Sequence, residues 1–478
     1  MEQITVKNDP AAAGHNRMGT QPEGKLLFSM AVPLALSMLI QALYNVVDSI
    51  FVSRVSENAL TAVSLASPMC MLTIAFGVGT SVGVNSLISR RLGAKRLDEA
   101  NAAAVNGLFL LLLTSIPFVL FGIFGAGPFI RAYTNDPEIA ELGTVYLRIC
   151  SVWVLGIFLS LCCERIMQAQ GKPVYSMLIQ MTGAVTNLIL DPIMIFGLFG
   201  CPAMGVRGAA IATVLGQWVS MALSFLIIMG KKNDLVIRFN GFRPDWRILG
   251  DIYKVGAPSI VMQAIGTVMT VFMNAILIGF SSTAVAVFGA YFKVQSFVMM
   301  PMIGMYNAAI SIEAYNFGAR NRKRLMRTWR ISMLTGFVMM VIGVSLVWIF
   351  SHEIMALFGA SPAMEALGIP ALRTMSSALL LASICISVSI LCQAVGRGMY
   401  SMIVSILRQL AVLLPAAWIL SKAFGTVTAV WFSFPIAEVA SLLLCVYYMA
   451  RVYNGMIKPL DLPADTPFPA QAAMEANS

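Results

Sequence analysis

The sequence predicts an all-α integral membrane protein with twelve transmembrane helices in two pseudo-symmetric six-helix lobes. Three observations support this prediction: the composition, the placement of the charged residues and an internal repeat. Of the 478 residues, 58% are hydrophobic and 11% are charged, whereas a soluble domain has about 25% charged residues. Most of the chain is therefore expected to lie in lipid.

Long charge-free runs separate clusters of charged residues, for example at 26–47, 208–230 and 331–351. Each run can cross a bilayer, which takes about 20 apolar residues. Backbone groups in lipid must form hydrogen bonds within the protein, which leaves helices or a closed β-barrel. The runs lack the alternation of polar and apolar residues that barrel strands have, so we expect helices. The predicted spans are 26–52, 59–89, 102–130, 139–166, 174–199, 208–230, 254–279, 283–313, 331–351, 364–395, 399–420 and 424–450.

Lysine and arginine are concentrated in alternate loops. One set of loops holds 24 of them, whereas the other set holds only Arg54, Arg131, Arg207 and Lys422. Because basic loops stay in the cytoplasm, both termini are predicted to be cytoplasmic, and the net charge of +10 reflects topology, not nucleic-acid binding. The predicted regions are a cytoplasmic tail (1–24), an amino-terminal lobe (25–230), a cytoplasmic linker (231–254), a carboxy-terminal lobe (255–450) and a second cytoplasmic tail (451–478). Disorder is predicted for the polar stretches 1–24 and 458–478.

Other features of the sequence argue against several classes of protein. The eight cysteines lie mostly in apolar runs, and there are only two histidines, so a zinc site or a disulfide framework is not expected. The sequence has no phosphate-binding loop motif, which disfavours ATP-driven transport. The first apolar run is as long as a full span and lacks a cleavage signal, so we expect a retained helix.

An internal repeat relates the two halves of the chain at a constant offset. The matched pairs include Pro33 and Pro258, Gly79 and Gly304, Ser86 and Ser311, and Arg148 and Arg373. Such a constant offset indicates duplication. Because six is an even number, both lobes enter the membrane in the same sense, related by an axis along the membrane normal, as in alternating-access transporters with a site between the lobes.

Four stretches of the sequence form a distinctive ordered set. They are 42–48 (ALYNVVD), 187–192 (NLILDP), 291–297 (YFKVQSF) and 315–320 (YNFGAR). Together they resemble the multidrug and toxic compound extrusion (MATE) transporters, especially the bacterial multidrug-efflux branch, over about residues 26–450. The resemblance implies a twelve-helix secondary transporter that exports drug-like molecules in exchange for an inward-moving cation.

Acidic residues inside apolar spans are expected to be functional, because an ionised carboxylate there costs roughly 2.5–3.5 kcal/mol on insertion scales. Asp48 and Asp191 are the leading candidates. Asn187 and Asp191 share a helix face, and Pro192 leaves the carbonyl of Leu188 without its usual hydrogen-bond donor. These oxygens suit a small hard cation, and a carboxyl group in an apolar setting could instead carry a proton.

The family resemblance assigns a cation-coupling cluster to Asp48, Asn187, Asp191 and Thr213, with Asp48, Asn187 and Asp191 as potential sodium ligands. Two alternatives remain open. Asp48 could lie at the outer end of the first helix in interfacial water, and the pair Asp191 and Pro192 could merely shape a kink.

The repeat restricts this acidic chemistry to the amino-terminal lobe. The offset places Met273 opposite Asp48 and Ala416 opposite Asp191. Some relatives carry a glutamate in the seventh helix where this sequence has Gly266. A sodium site at that position of the carboxy-terminal lobe is therefore not expected.

Six further residues are candidates for contact with substrate in a central cavity. They are Gln41, Tyr44, Met273, Lys293, Met300 and Glu438. Flexible thioethers such as that of Met300 suit a cavity that accepts varied shapes. Core packing is the alternative explanation for any one methionine.

Other ionisable residues also fall inside predicted spans, namely Glu164, Lys293, Arg408 and Glu438. Glu438 could form a structural ion pair with Lys293 or Arg408 instead of contacting substrate. Glu313 and Arg148 lie near predicted helix ends, so we expect their side chains to extend to the membrane interface.

The sequence therefore predicts a secondary antiporter of the cell membrane, not an enzyme, that exports apolar or cationic small molecules in exchange for H⁺ or Na⁺. It is expected to act as a monomer in the lipid bilayer, with no cofactor beyond the coupling ion and no nucleic-acid partner. The main alternative is a flippase for lipid-linked sugars or cell-wall precursors. A membrane-embedded enzyme or a channel is disfavoured, because no metal or nucleophile constellation and no polar rings are apparent.

Overall fold

A computed structural model describes residues 17–230, 233–237 and 242–461, most of them helical. In these residues, eleven helices are long and apolar enough to cross a membrane, and a bent pair supplies a twelfth span. The spans are α1 (Glu23–Ser53), α2 (Glu57–Gly93), α3 (Leu97–Arg131), α4 (Pro137–Val152 and Leu155–Ala169), α5 (Pro173–Phe196), α6 (Gly205–Ile228), α7 (Trp246–Ile278), α8 (Ser282–Gly318), α9 (Arg322–Ile349), α10 (Pro362–Ala394), α11 (Gly398–Phe424) and α12 (Val427–Asp461). The predicted all-α fold with two six-helix lobes is confirmed.

Equivalent helices of the two lobes begin at equivalent positions of the repeat. The hydroxyl of Ser56 caps α2 by accepting a hydrogen bond at 2.9 Å from the backbone N–H three residues later. Ser281, the repeat equivalent of Ser56, caps α8 in the same way at 3.1 Å. Asp136 and Ser361, which are also repeat equivalents, cap α4 and α10, and each precedes a proline. Local capping preferences thus follow the duplication.

Several helices extend beyond their apolar runs. The predicted span 254–279 begins at Trp246, behind the cap Asp245, and the predicted span 331–351 begins at Arg322, behind the cap Asn321. Hydropathy marks the part of a helix that suits lipid, whereas the caps decide where the helix begins. Many of the basic residues predicted in loops therefore lie on the first turns of helices.

The predicted tails are partly outside the described residues. Arg17–Thr20 forms a helical turn before α1, and its Met18 is fully buried. At the other end, α12 continues beyond Val452 to Asp461, first as a wider π-helical turn and then as a tighter 3₁₀ turn. The disorder predicted for 17–24 and 458–461 is therefore wrong, because ordered turns and helix occupy these residues. The disorder predicted for 1–16 and 462–478 falls on residues that the structure does not describe.

Helix α4 differs from its repeat equivalent α10. It bends by 46° between its two segments, whereas α10 is one continuous helix. At the break, the carbonyl of Trp153 accepts a hydrogen bond from the indole of Trp218 at 3.2 Å. A side-chain donor thus satisfies a backbone group near the interruption of the helix, which makes the bend tolerable in an apolar setting.

The lobes meet along α1, α2, α7 and α8, and the contacts follow the pseudo-two-fold axis. Gly79 of α2 packs against the backbone of Ile260 in α7, and its repeat equivalent Gly304 of α8 packs against the backbone of Ala35 in α1. Ala35 and Ile260 are themselves repeat equivalents. We call this inter-lobe contact the seam.

The seam continues to the end of the molecule that carries the basic loops, called the basic end below. A side chain at Gly93 would overlap the carbonyl oxygen of Tyr315, and one at Gly318 would overlap that of Arg90. These four residues again form two pairs of repeat equivalents. The glycines let the backbones of α2 and α8 touch, so the lobes are closed at the basic end.

A candidate cation site in the amino-terminal lobe

The structure brings Asp48, Asn187, Asp191 and Thr213 together from α1, α5 and α6. The amide nitrogen Nδ2 of Asn187 donates to Oδ1 of Asp191 at 3.2 Å and lies 3.4 Å from Oγ1 of Thr213. The carboxyl groups of Asp48 and Asp191 interact directly with one another. The spacing of Asn187 and Asp191 along α5 puts both side chains on the face that packs against α1 and α6.

The cluster is buried and lacks positive charge. Asp191 is 1% exposed and Asn187 is 3% exposed, and Asp48 is partly buried. Within the described residues, Oδ1 of Asp48, Oδ1 of Asn187 and Oδ2 of Asp191 are buried without a hydrogen-bond partner, and no lysine or arginine pairs with either carboxyl group. Two touching carboxyl groups cannot both be ionised there without a proton or a cation between them.

A polar cavity of about 90 Å³ adjoins the cluster inside the amino-terminal lobe. Its polar lining includes Gln41, Tyr44, Glu164, Gln180, Asn187 and Thr213. Gln180 donates to Gln41 at 3.0 Å, and Tyr44 interacts electrostatically with both aspartates. The predicted cavity residues Gln41 and Tyr44 therefore lie beside the cation cluster.

The MatE family model matches residues 33–193 and 258–419, one match in each lobe. The two matches begin at Pro33 and Pro258, which are equivalent positions of the repeat. The chain belongs to the MatE family. It is a multi-pass membrane transporter of that family.

Relatives of this MatE transporter match over nearly the whole chain. Multidrug export protein MepA of Staphylococcus haemolyticus is 27% identical over 444 residues, covering 90% of this chain and 94% of the relative. MepA of Staphylococcus aureus is 26% identical over 428 residues, covering 87% and 91%. The similarity is therefore global and not confined to one lobe.

Solved structures of similar transporters also match over nearly the whole chain. One is an outward-facing conformation of a multidrug resistance MATE family transporter of the MOP superfamily, with a TM-score of 0.87, 27% identity, and 94% and 99% of the two chains covered. A second is a MOP superfamily transporter from Pyrococcus furiosus, described by a reverse polarity of its binding pocket, with a TM-score of 0.86, 27% identity, and 94% and 98% covered. These transporters share the complete two-lobed fold.

The other candidate substrate residues lie in the carboxy-terminal lobe of this MatE transporter. Met273 is fully buried in an apolar cluster, away from the cation site. Lys293 is exposed, with its ammonium nitrogen 5.9 Å from the ring centroid of Phe358, and Met300 is partly buried on the same helix, α8. They are not part of the amino-lobe cluster.

Glu438 forms an ion pair with Arg408, with Nη1 of Arg408 3.3 Å from Oε1 of Glu438. Arg408 lies in a widened turn of α11, 407–413, which turns its side chain toward α12. Of the two partners considered from the sequence, the structure selects Arg408 over Lys293. That this pair is structural and does not contact substrate stays a prediction.

The expectation that Glu313 extends to the membrane interface is wrong. Glu313 is fully buried, because α8 continues to Gly318 and Ser332 of α9 packs against it. The repeat carried the missed signal: the equivalent of Glu313 is Ile88, which is a fully buried core residue. Arg148, by contrast, is exposed.

Proposed function

We propose that this MatE transporter exports apolar or cationic small molecules in antiport with protons or sodium ions, which bind at Asp48, Asn187, Asp191 and Thr213. One observation carries the proposal: the carboxyl groups of Asp48 and Asp191 interact in a largely buried cluster, and neither has a basic partner in the part of the chain that the structure describes. Such a pair needs a proton or a small cation to neutralise it. The three unpartnered oxygens are the hard ligands that sodium prefers, and a proton shared between the carboxyl groups would serve equally well.

Coupling follows when the ion and the substrate favour different arrangements of the lobes. A gradient can drive export only if the ion binds one conformation better than another. The seam is closed at the basic end, which the distribution of lysine and arginine assigns to the cytoplasm, together with both termini. The conformation described here is then outward-facing, which agrees with its similarity to an outward-facing relative.

The substrate class is inferred from the relatives and from the composition of the lobes. Both staphylococcal relatives are named multidrug export proteins, which favours drug export over the transport of lipid-linked sugars. Methionines such as Met300 in α8 would adapt to substrates of varied shape. We propose a monomer in the cell membrane as the working unit.

The test is uphill transport in reconstituted vesicles under an imposed proton or sodium gradient. Wild type should concentrate a cationic dye against its gradient, and Asp191→Asn should lose this accumulation while remaining folded. Asparagine keeps the size of the side chain and most of its hydrogen bonding but cannot bind a proton or neutralise sodium. Glu141→Gln, at an exposed position of α4, is the matched control. Equal accumulation by Asp191→Asn and wild type would reject the proposed coupling site.

A further inference from the structure

Glu313 is a buried acidic residue that the proposed cation site does not use. It lies in α8 of the carboxy-terminal lobe, shortly before the helix ends at Gly318, and is fully buried. Its repeat equivalent is the apolar core residue Ile88. Packing at this position therefore does not require a carboxyl group.

One serine hydroxyl is the only hydrogen-bond donor to the carboxyl group of Glu313 in the described part of the chain. Oγ of Ser332 lies 3.3 Å from Oε1 of Glu313 and 2.9 Å from the backbone carbonyl oxygen of Trp329, and it can donate to either oxygen. A serine hydroxyl has one hydrogen, so the carbonyl competes with Glu313 for it. A buried carboxyl group needs several donors to stay ionised, and Glu313 has at most this one, which favours its protonated form.

Apart from Ser332, the groups that face Glu313 do not stabilise a negative charge. The titratable groups in electrostatic contact with it are the hydroxyl of Tyr306 on α8 and the thiol of Cys392 on α10. The Tyr306 hydroxyl donates to the carbonyl of Ser383 at 2.8 Å. Helix α9 contributes Ser332, and in the described part of the chain no lysine or arginine pairs with Glu313, whose Oε2 is buried without a partner.

The same two turns of α8 form part of the seam. Ser311 donates to Oδ1 of Asn85 in α2 at 3.1 Å, and the carbonyl of Tyr315 packs against Gly93. Glu313 lies between Ser311 and Tyr315 in the sequence and therefore points away from α2, into its own lobe. Separation of the lobes at the basic end would bring water to the seam face of these two turns, on the opposite side of α8 from the carboxyl group. Water that near replaces part of the apolar surroundings and lowers the cost of ionising Glu313.

We propose that Glu313 is a proton-binding site that couples the opening of the basic end to pH on that side of the membrane. In the closed arrangement Glu313 holds its proton, and in the open arrangement it releases the proton to water. High pH on the basic side therefore favours opening, and low pH favours the closed seam. The proposal rests on the alternation of access proposed above but not on cation coupling at Asp48 and Asp191.

Infrared difference spectroscopy tests the protonation of Glu313 in the folded protein. The background is the double variant Asp48→Asn/Asp191→Asn, which removes the acidic groups of the cation site. At neutral pH, adding Glu313→Gln should remove a C=O stretching band of a protonated carboxylic acid, and Ser332→Ala should shift that band to higher frequency. The exposed control Glu141→Gln should change neither. If neither Glu313→Gln nor Ser332→Ala alters the band, Glu313 is ionised and the proposal is wrong.

Distance measurements between spin labels on the basic ends of α2 and α8 test the coupling to the seam. In the same background, the ratio of open to closed molecules should rise with pH, by at most about tenfold per pH unit for one linked proton. Glu313→Gln should make this ratio independent of pH, whereas Glu141→Gln should retain the dependence. A ratio that responds to pH equally in Glu313→Gln and in its parent would overturn the proposal. This result is independent of whether Asp191 couples transport, because Asp191 is absent from every variant compared.

Discussion

The two lobes share a scaffold but differ in what they bury. Their caps and their glycine contacts across the seam repeat at a constant offset, yet Asp48 and Asp191 of the amino-terminal lobe correspond to Met273 and Ala416 of the carboxy-terminal lobe. The first lobe holds touching carboxyl groups beside a polar cavity, and the second holds packed aromatic rings. The comparison teaches that the duplicated scaffold sets the contacts between the lobes, while substitutions at a few positions decide which lobe carries the candidate cation site.

The interior of the carboxy-terminal lobe explains why it does not repeat the cation site. The rings of Phe288, Tyr291, Trp431 and Phe434 pack around the region of Met273. The acidic residue of that region, Glu438, has its own counter-charge in Arg408. A carboxyl group that pairs with an arginine does not require a bound ion to neutralise it, in contrast to the pair Asp48 and Asp191.

The largest effect on stability is expected from breaking the ion pair of the carboxy-terminal lobe. Arg408→Met alone should lower the free energy of unfolding by about 3 kcal/mol, because it leaves Glu438 buried without a partner. Arg408→Met/Glu438→Met should recover most of that loss. Unfolding in mixed micelles measures the stability, and vesicle uptake measures transport. A double variant that is stable but no longer exports would show that Glu438 contacts substrate, contrary to the structural role assigned to it here.

A smaller effect is expected at the seam, where the lobes are alike. Gly93→Ala and Gly318→Ala each place a methyl group against a backbone carbonyl of the other lobe, so each should disfavour the closed seam by about 1–3 kcal/mol. Distances between labels across the basic end report the closed fraction. Gly289→Ala is the control, because a side chain there meets no atom within 4 Å. Unequal effects of the two seam variants would contradict the pseudo-symmetry of the contact.

The smallest effect is expected at the helix caps. Ser56→Ala and Ser281→Ala should each lower the free energy of unfolding by about 1 kcal/mol, because each removes one equivalent hydrogen bond. Parallel unfolding measurements on the two variants make the comparison. If only one variant is destabilised, the lobes differ in local stability as well as in chemistry.

The sequence predicted the fold more completely than it predicted the buried polar groups. Apolar runs and the repeat were sufficient for twelve spans and two lobes, because both signals depend on many residues at once. The extension of α7 back to Trp246 was missed, because its basic first turns resemble a loop in hydropathy. Glu313 was misplaced because hydropathy ended its helix at residue 313, whereas α8 continues to Gly318 and Ser332 of α9 contacts the carboxyl group.

The polar cavity was also beyond what the sequence could predict. The proximity of Asn187 and Asp191 follows from helical spacing, but the contact of Asp191 with Asp48 depends on how α1 packs against α5. No proline marks the position of the bend in α4. Glu164 of the same helix lines the cavity. The sequence identified it only as an intramembrane acid, because no periodic pattern indicated which side of α4 faces the cavity.

The most direct test of the asymmetry between the lobes is to measure which ion leaves the purified protein when substrate binds. Antiport requires that substrate and ion exclude one another, so adding a cationic dye to wild type in weak buffer should release protons, or radiolabelled sodium bound beforehand. Asp191→Asn should bind the dye and release neither, whereas Ala416→Ser, at the equivalent position of the other lobe, should behave as wild type. Release of the same quantity of ion from Asp191→Asn as from wild type would show that the amino-terminal carboxyl pair does not carry the coupling ion.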